Sequence, residues 1–178
     1  SDYLSIYDRE GLVTYDSPSL WRLLGEDYVR FAKRRVGGDR SLVHPDDRHR
    51  VRARFEALRA GRMAPSYSVE LRWLLPSGEV RWVETRASAI LGDGGRFDGF
   101  VTIALDITER RRSQQHVRDS EARFRMLFDL SPDPIVVRLG RLVTDANAAA
   151  VALLGLPSKA ALVGRNFGEF MDEASRAE

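Results

Sequence analysis

The stretch Asp106-Ile107-Thr108-Glu109-Arg110-Arg111 decides how this chain is organised. It joins an apolar, strand-like segment, residues 97–105, to a polar segment with helical spacing that extends to about Phe128. The predicted seam of that helix has alternating spacings of three and four and comprises Ile107, Arg110, Gln114, Val117, Glu121, Phe124 and Phe128. A seam with several polar positions is typical of a weak coiled coil that shifts register at low cost. The stretch therefore predicts a sheet whose last strand continues directly into a helix.

Three strands are predicted in the segment that leads up to this junction. Residues 67–73 alternate between apolar and polar side chains, which is the period of a half-buried strand. Residues 76–78 and 92–95 are rich in the residue types that turn a chain. They separate residues 67–73 from the strand-like segments 80–91 and 97–105. Such short turns favour an antiparallel meander.

The first part of the chain predicts two short strands and two helices. The strands lie within residues 4–16, and a short helix over residues 20–24 ends at Gly25. Pro45 begins a longer helix that ends near Gly61, because proline suits the first helical position. Its predicted buried stripe is Val51, Phe55 and Leu58. The segment 26–40 is ambiguous, with a break at Gly37-Gly38.

Beyond the long helix the pattern begins again. Residues 131–134 contain two prolines, which end the helix. A hairpin is predicted from residues 135–139 and 142–144, followed by a short helix over residues 146–154. Residues 162–171 are predicted to be a further helical piece, loosened by two glycines.

The composition excludes several classes of function. Of the 178 residues 43% are hydrophobic and 30% are charged, as in a domain with its own core, and no segment is apolar enough to span a bilayer. Cysteine is absent, which excludes disulfides, cysteine-ligated metals and adducts of a flavin with a thiol. Acidic residues interleave with the arginines, so no nucleic-acid contact is predicted. No membrane contact is predicted for this chain either.

Four motifs in order resemble the PAS family of sensory domains. They are Ser17-Pro18-Ser19 with Leu24-Gly25, His44-Pro45-Asp46-Asp47, Pro76-Ser77-Gly78 with Arg81-Trp82, and Asp106-Ile107-Thr108. The resemblance implies an α+β fold for residues 1–108, with a five-stranded antiparallel sheet and short helices on one face. In this family the final triplet couples the state of the domain to an effector.

A second set of motifs resembles the first half of another PAS domain. It comprises Ser120-Glu121, Arg123-Phe124, Ser131-Pro132-Asp133, Asp145-Ala146-Asn147 and Leu154-Gly155. The implied organisation is a PAS domain over residues 1–108, a signalling linker helix over residues 109–128, and an incomplete second PAS domain over residues 129–178. Residues after about 130 are expected to be poorly protected or to pair with a partner chain.

The resemblance implies a sensory input and dimerisation module of a bacterial, cytoplasmic signalling protein. Such a module relays ligand or partner state through its C-terminal helix to a downstream effector, here expected to be a sensor histidine kinase. The alternatives are the input module of a diguanylate cyclase and a ligand-free interaction scaffold. No catalytic constellation is found in this chain, and a homodimer through the linker helix is expected.

Asp106, Ile107 and Thr108 are the candidate signal-coupling residues. Asp106 is expected to pair with Arg72 or Arg81. Either the Thr108 hydroxyl caps the helix, or Asp106 and Glu109 form a capping box. The alternative is a structural helix start without a signalling role. Replacing Ile107 by Asp is expected to loosen dimers and to uncouple the output while the sheet stays folded.

The candidates for a ligand pocket are Trp73, Trp82, Ala87 and Ala89. The two tryptophans lie on neighbouring predicted strands, and the two alanines leave room on the middle strand. Core packing is the alternative for all four. No cofactor is predicted, and a small unidentified ligand is left open.

The histidines are not expected to bind metal or haem. His44 precedes a helix start, His49 is flanked by charges, and His116 lies on the linker helix. These positions favour helix-end or surface roles, because ligation needs further ligands around a buried ring. The segment Gly37-Gly38-Asp39 is interpreted as a loop.

Overall fold

The computed structural model describes residues 2–27, 34, 36, 38 and 41–170, with only the backbone of Glu26. The chain divides into two compact units, Ser1–Ser113 and Gln114–Glu178. Most of the ambiguous segment 26–40, including Gly37 and Asp39, lies outside the described residues. Among the helices that are described, none has the length and apolar character needed to cross a membrane.

The first unit contains a five-stranded antiparallel sheet. Its strands are β1 (Asp2–Asp8), β2 (Val13–Asp16), β3 (Ser66–Leu74), β4 (Val80–Leu91) and β5 (Phe97–Asp106). Their order is β2-β1-β5-β4-β3, and every neighbouring pair is antiparallel. The predicted meander and the predicted α+β fold are both confirmed.

One face of the sheet is covered by two helices, α1 (Pro18–Leu24) and α2 (Pro45–Arg59). Leu20 of α1 and Val51 of α2 pack into one buried cluster with Val83 of β4. The predicted stripe of α2 is buried as expected. Alternation along the strands explains this arrangement, because every second residue of β3 and β4 faces the helices.

Close packing of β5 against β1 requires a glycine at position 99. A Cβ atom placed there would lie 2.3 Å from the carbonyl oxygen of Tyr7 on the neighbouring strand. No side chain fits at that distance, so the sequence meets the need for close backbone approach with glycine.

A long helix, α3 (Thr108–Leu130), begins within the first unit and continues into the second. It agrees with the helix predicted from Thr108 to about Phe128. In the second unit it is followed by a two-stranded antiparallel sheet and a short helix. These elements are β6 (Val136–Leu139), β7 (Leu142–Ala146) and α4 (Ala148–Leu153).

The second unit has its own small core of Val143, Ala146, Ala150 and Leu162. Asn147 is completely buried beside this core and caps α4, because its side-chain oxygen accepts from the Ala150 amide at 2.9 Å. The cap explains why the helix starts at Ala148 rather than at residue 146.

The helical piece predicted over residues 162–171 is confirmed only at Phe167–Phe170, and residues 163–166 are not helical. The structure has two short 3-10 turns instead, Lys159–Ala161 and Phe167–Phe170, and Met171 lies outside the described residues. The segment between the turns pairs with β7: the Gly164 amide donates to the carbonyl of Val143 at 2.8 Å. Backbone groups used in this way are not free to form helical hydrogen bonds.

Candidate functional site

The junction between β5 and α3 is held by the carboxylate of Asp106. One oxygen accepts from the Thr108 amide at 2.9 Å and so caps the first turn of the helix. The other oxygen lies 3.4 Å from a guanidinium nitrogen of Arg81 on β4. Of the two arginines expected from the sequence, Arg81 is therefore the partner of Asp106. Arg72 instead pairs with Asp47.

The Thr108 hydroxyl fastens the helix to the sheet instead of capping it. It accepts from the Trp82 amide at 3.0 Å, and the Trp82 carbonyl accepts from the Ile107 amide at 2.9 Å. Glu109 does not complete a capping box, because its 86% exposed carboxylate pairs with Arg112 on the next turn. Ile107 and Thr108 thus continue the hydrogen bonding of β4 from β5 into the start of α3.

Ile107 occupies a different place from the one predicted. Its side chain is 2% exposed within a single chain. Replacing it by Asp would bury an unpaired charge, so the structure gives the opposite expectation to the sequence: the substitution should destabilise the sheet as well. Elsewhere in the predicted seam, Val117 and Phe124 are each 56% exposed, whereas Phe128 is buried.

The first turn of α3 is also clamped against the outer face of the sheet, the face opposite α1 and α2. Glu70 of β3 accepts from Arg110 at 3.0 Å and from the Nε of Arg111 at 3.1 Å. The guanidinium carbon of Arg111 lies 3.8 Å from the ring centre of Trp82 on β4. Each of these half-exposed contacts contributes only about 0.2–1 kcal/mol. Together they hold the first turn of α3 against the sheet, although each contact is individually weak.

Contacts continue from this clamp to the start of α2. The Asp47 carboxylate accepts from the backbone amide of Arg72 and from its guanidinium, each at 3.0 Å. The hydrogen bond from Arg72 holds the pKa of Asp47 below its ordinary value. The Arg72 guanidinium in turn lies 5.9 Å from the Trp82 ring centre. We call Asp47, Arg72, Trp82, Arg111 and Glu70 the junction cluster.

The two tryptophans proposed for one pocket lie on opposite faces of the sheet. Trp73 pairs with Arg81 and Trp82 pairs with Arg72, so adjacent cross-strand pairs point to opposite sides. Trp73 faces the helices and packs on the ring of Tyr3 at 5.4 Å, whereas Trp82 belongs to the junction cluster.

The two alanines proposed for the pocket are also placed differently. Ala87 is 1% exposed and belongs to a buried cluster with Phe55 and Phe100. Ala89 packs against the same cluster. The room that the small side chains leave is therefore filled by two phenylalanine rings. Of the four pocket candidates, Trp73 alone lines the small cavity that the described residues form between the sheet and α2.

A small cavity lies between the sheet and α2. Its volume is about 60 Å³, and its wall includes Tyr3, Tyr67, Trp73, Thr85 and Thr102. Typical ligand pockets have volumes of about 300–1,000 Å³. The described interior is thus packed by side chains except for a space of a few atoms.

A buried ion pair forms one side of this cavity. Arg34 donates to the Asp16 carboxylate at 2.7 Å and to the Ser5 hydroxyl at 2.9 Å, and all three side chains are buried. Burial by itself lowers the pKa of Arg34, but the Tyr7 phenol and the Asp16 carboxylate outweigh it, and the pKa is raised. Sequence reasoning missed this pair, because residues 18 positions apart carry no local signal of pairing.

The histidines occupy helix-end and surface positions. The Nδ1 atom of His44 accepts from the Asp46 amide at 3.4 Å at the start of α2. His49 and His116 are exposed. Over residues 2–27 and 41–170 and the three isolated described positions, no group of three or more potential ligands is placed to hold a metal ion.

Comparison with known proteins identifies the class to which this fold and junction belong. The family described as PAS fold matches residues 14–104, and the family described as PAS domain matches residues 122–178. The first match covers half of the chain. The chain therefore belongs to the PAS family, as its sequence motifs predicted.

Two curated relatives are bacterial sensors. Sensor protein FixL of Bradyrhizobium diazoefficiens is 26% identical over 137 residues, which are 77% of this chain and 27% of that protein. Two-component sensor PprA of Pseudomonas aeruginosa is 30% identical over 138 residues, which are 72% of this chain and 14% of that protein. The chain thus corresponds to a minor part of each of these sensors.

A solved structure with the same fold is the sensory box histidine kinase/response regulator from Burkholderia thailandensis. It is 30% identical, with a TM-score of 0.52, and the match covers 71% of this chain and 92% of that one. The relatives and this structure agree on a sensory class of protein.

Proposed function

We propose that this chain is the sensory input and dimerisation module of a sensor histidine kinase. Its role is to relay ligand or partner state from the first unit through α3 to a downstream effector. The two curated relatives and the Burkholderia structure are sensors or histidine kinases, which supports this choice of effector. The observation that carries the proposal is the junction, where Asp106 and Thr108 join α3 to β4.

The relay works through the weak contacts of the first turn of α3. A change at the helix-covered face of the sheet shifts β3 and β4, on which Glu70 and Trp82 stand. Those two side chains hold Arg111, so the shift changes how firmly the turn is fastened. A ligand that distinguishes the two states by a few kcal/mol is enough to move the population.

The dimer of this proposal forms along the exposed part of α3. Val117 and Phe124 are large apolar side chains in open solvent on one predicted seam. Seven residues separate them, the repeat of a left-handed coiled coil. A second copy of the same helix supplies a matching stripe, and the two effectors of the dimer are then moved together.

A ligand-free interaction scaffold is the second candidate. The observation in its favour is the filled interior around Ala87, Phe55 and Phe100. A scaffold of this kind still relays partner state through the same junction, but no small molecule alters its output. The remaining candidate is the input module of a diguanylate cyclase. It would use the same relay as the histidine kinase module and would differ from it only in the effector domain.

The test is made in the full-length parent protein. Arg111→Gln removes the ion pair to Glu70 and the stacking on Trp82, whereas Arg112→Gln removes only a pair within the helix. We expect autophosphorylation from ATP, or its response to stimulus, to change several-fold in Arg111→Gln and to stay within twofold in Arg112→Gln. Equal effects of the two variants would refute the relay, and synthesis of a cyclic dinucleotide from GTP would indicate the cyclase.

A further inference from the structure

An open hollow on the surface of the first unit lies where β5 begins, at the opposite end of that strand from α3. Its volume is about 250 Å³, and its wall is formed by Arg9, Glu10, Arg59, Arg96 and Phe97. The turn between β1 and β2, the last turn of α2 and the residue before β5 each supply one of the arginines. Among the described residues, none lines both this hollow and the cavity between the sheet and α2.

Two of the three guanidinium groups are available to a ligand. Arg9 is engaged, because its guanidinium lies 2.8 Å from the Asp98 carboxylate. Arg59 and Arg96 are exposed, and within the described part of the chain neither side chain has a hydrogen bond or an ion pair. Guanidinium groups bind oxyanions through charge-assisted hydrogen bonds, often two at a time. The hollow therefore offers two free donor groups to an oxyanion.

The charges around the hollow favour a ligand with a single negative charge. Three arginines and the Glu10 carboxylate line it, and Asp98 pairs with Arg9, which leaves an excess of one positive charge. A phosphate ester carries a charge of about −1.5 to −2 at neutral pH, so it would exceed this balance and be repelled by Glu10. A carboxylate matches the balance.

The size of the hollow and its aromatic wall define the rest of the ligand. The half-buried Phe97 ring packs edge-on with Phe55, with the ring centres 6.3 Å apart, so its position is fixed from inside the domain. The part of Phe97 that lines the hollow is an apolar surface suited to a flat ring. A cavity of about 150 Å³ holds benzene, so about 250 Å³ corresponds to about ten heavy atoms.

We propose that this hollow binds a small aromatic monocarboxylate, with its carboxylate held by Arg59 and Arg96 and its ring against Phe97. Such a ligand ties the end of α2 to the start of β5, the strand that continues into α3. The site is a second place on the first unit at which a small molecule acts, outside the interior of the domain. It does not depend on the relay through Arg111.

The probe is benzoate, titrated into the purified chain at low ionic strength while the amide resonances of residues 96–98 are followed by NMR. For a ligand of about nine heavy atoms at an open site we expect saturable binding with a Kd on the order of millimolar. Benzamide has the same size and ring but no charge, and acetate has the charge but no ring. We expect each of them to bind at least fivefold more weakly than benzoate.

Arg59→Gln and Arg96→Gln each remove one of the two free guanidinium groups. We expect each variant to weaken benzoate binding about three- to tenfold, as for a charge-assisted hydrogen bond at an open site. Arg62→Gln is the matched control. Arg62 is also exposed and has no side-chain partner within the described residues, but it does not line the hollow. We expect its benzoate affinity within twofold of the parent, and the Tm of all three variants within about 2 °C of it.

Three outcomes overturn the proposal. The first is a benzoate titration that does not saturate, and the second is benzamide binding as tightly as benzoate. The third is an equal loss of affinity in Arg62→Gln and in the two variants of the hollow, which would show attraction to the net charge of the chain alone. None of these outcomes bears on the relay, and a failure of the relay leaves the expected binding of benzoate unchanged.

Discussion

The guanidinium of Arg111 lies 3.8 Å from the ring centre of Trp82, which joins the first turn of α3 to the outer face of β4. The same guanidinium pairs with Glu70 of β3. The backbone of Trp82 meanwhile binds Ile107 and the Thr108 hydroxyl. One tryptophan thus contacts the helix through both its ring and its backbone, and in the proposed relay this is the point at which β4 acts on α3.

Replacing Asp47 by Asn is expected to destabilise the first unit at neutral pH by about 1–2 kcal/mol. The variant loses charge-assisted hydrogen bonds between the buried Asp47 carboxylate and the Arg72 guanidinium, which is 28% exposed. Because the pKa of Asp47 is lower in the folded chain than in the unfolded one, its ionised form stabilises the fold above about pH 4. That stabilisation is lost as the pH falls through the folded-state pKa. Urea unfolding at pH 7 and at pH 3 measures both effects.

The control for this prediction is Asp46→Asn. Asp46 is the neighbouring residue, and its side chain is 66% exposed at 3.3 Å from Arg72. We expect its stability to stay within about 0.5 kcal/mol of the parent, as for other exposed pairs. A loss in Asp47→Asn that is just as large at pH 3 as at pH 7 would contradict the role given to its charge.

Replacing Val117 by Asp is expected to weaken the dimer at least tenfold without unfolding the chain. The side chain is 56% exposed, so no core contact is lost, but two negative charges would face each other across the predicted seam. Ser113→Asp adds the same charge at an exposed position of α3 outside that seam. Sedimentation equilibrium measures the dissociation constants, and equal values for the two variants would argue against dimerisation through α3.

Amides of the second unit are expected to exchange faster than those of the meander in β3–β5. The described sheet there has two strands, and its buried cluster contains only four residues, including Val143 and Leu162. An isolated hairpin is marginally stable, whereas a five-stranded sheet covered by helices is not. Hydrogen exchange read residue by residue tests this prediction. Equal protection at Val143 and Val83 would count against it.

Much of the fold could be predicted from the sequence, because its signals are local. Alternation in residues 67–73 and the spacing of Val51, Phe55 and Leu58 each report which face of an element is buried. The helical piece predicted over residues 162–171 is present only as the turn Phe167–Phe170, for the opposite reason. Its backbone groups pair with β7, and such pairing between distant segments leaves no periodic pattern in the sequence.

The site was only partly predictable for a similar reason. Asp106 and Thr108 are two residues apart in the chain, so their role at the helix start could be predicted from the sequence. Glu70 and Arg111 are 41 residues apart. They meet because β3 lies beside β4 and because α3 starts against Trp82 of β4. The register of β3 against β4 places Trp73 and Trp82 on opposite faces of the sheet. The sequence shows only that both residues lie close to the same turn, so it could not reveal this separation.

Hydrogen exchange in the first turns of α3 tests the central claim most directly. Compared with the parent chain, Arg111→Gln should speed exchange of the amides of residues 111–114 about two- to fivefold, because contacts to Glu70 and Trp82 are lost. Within the part of the chain that the structure describes, the Arg112 side chain pairs with Glu109 alone, so Arg112→Gln should leave those rates unchanged. Identical rates in both variants would show that the first turn is not fastened to the sheet by Arg111, and the account of the relay would fail.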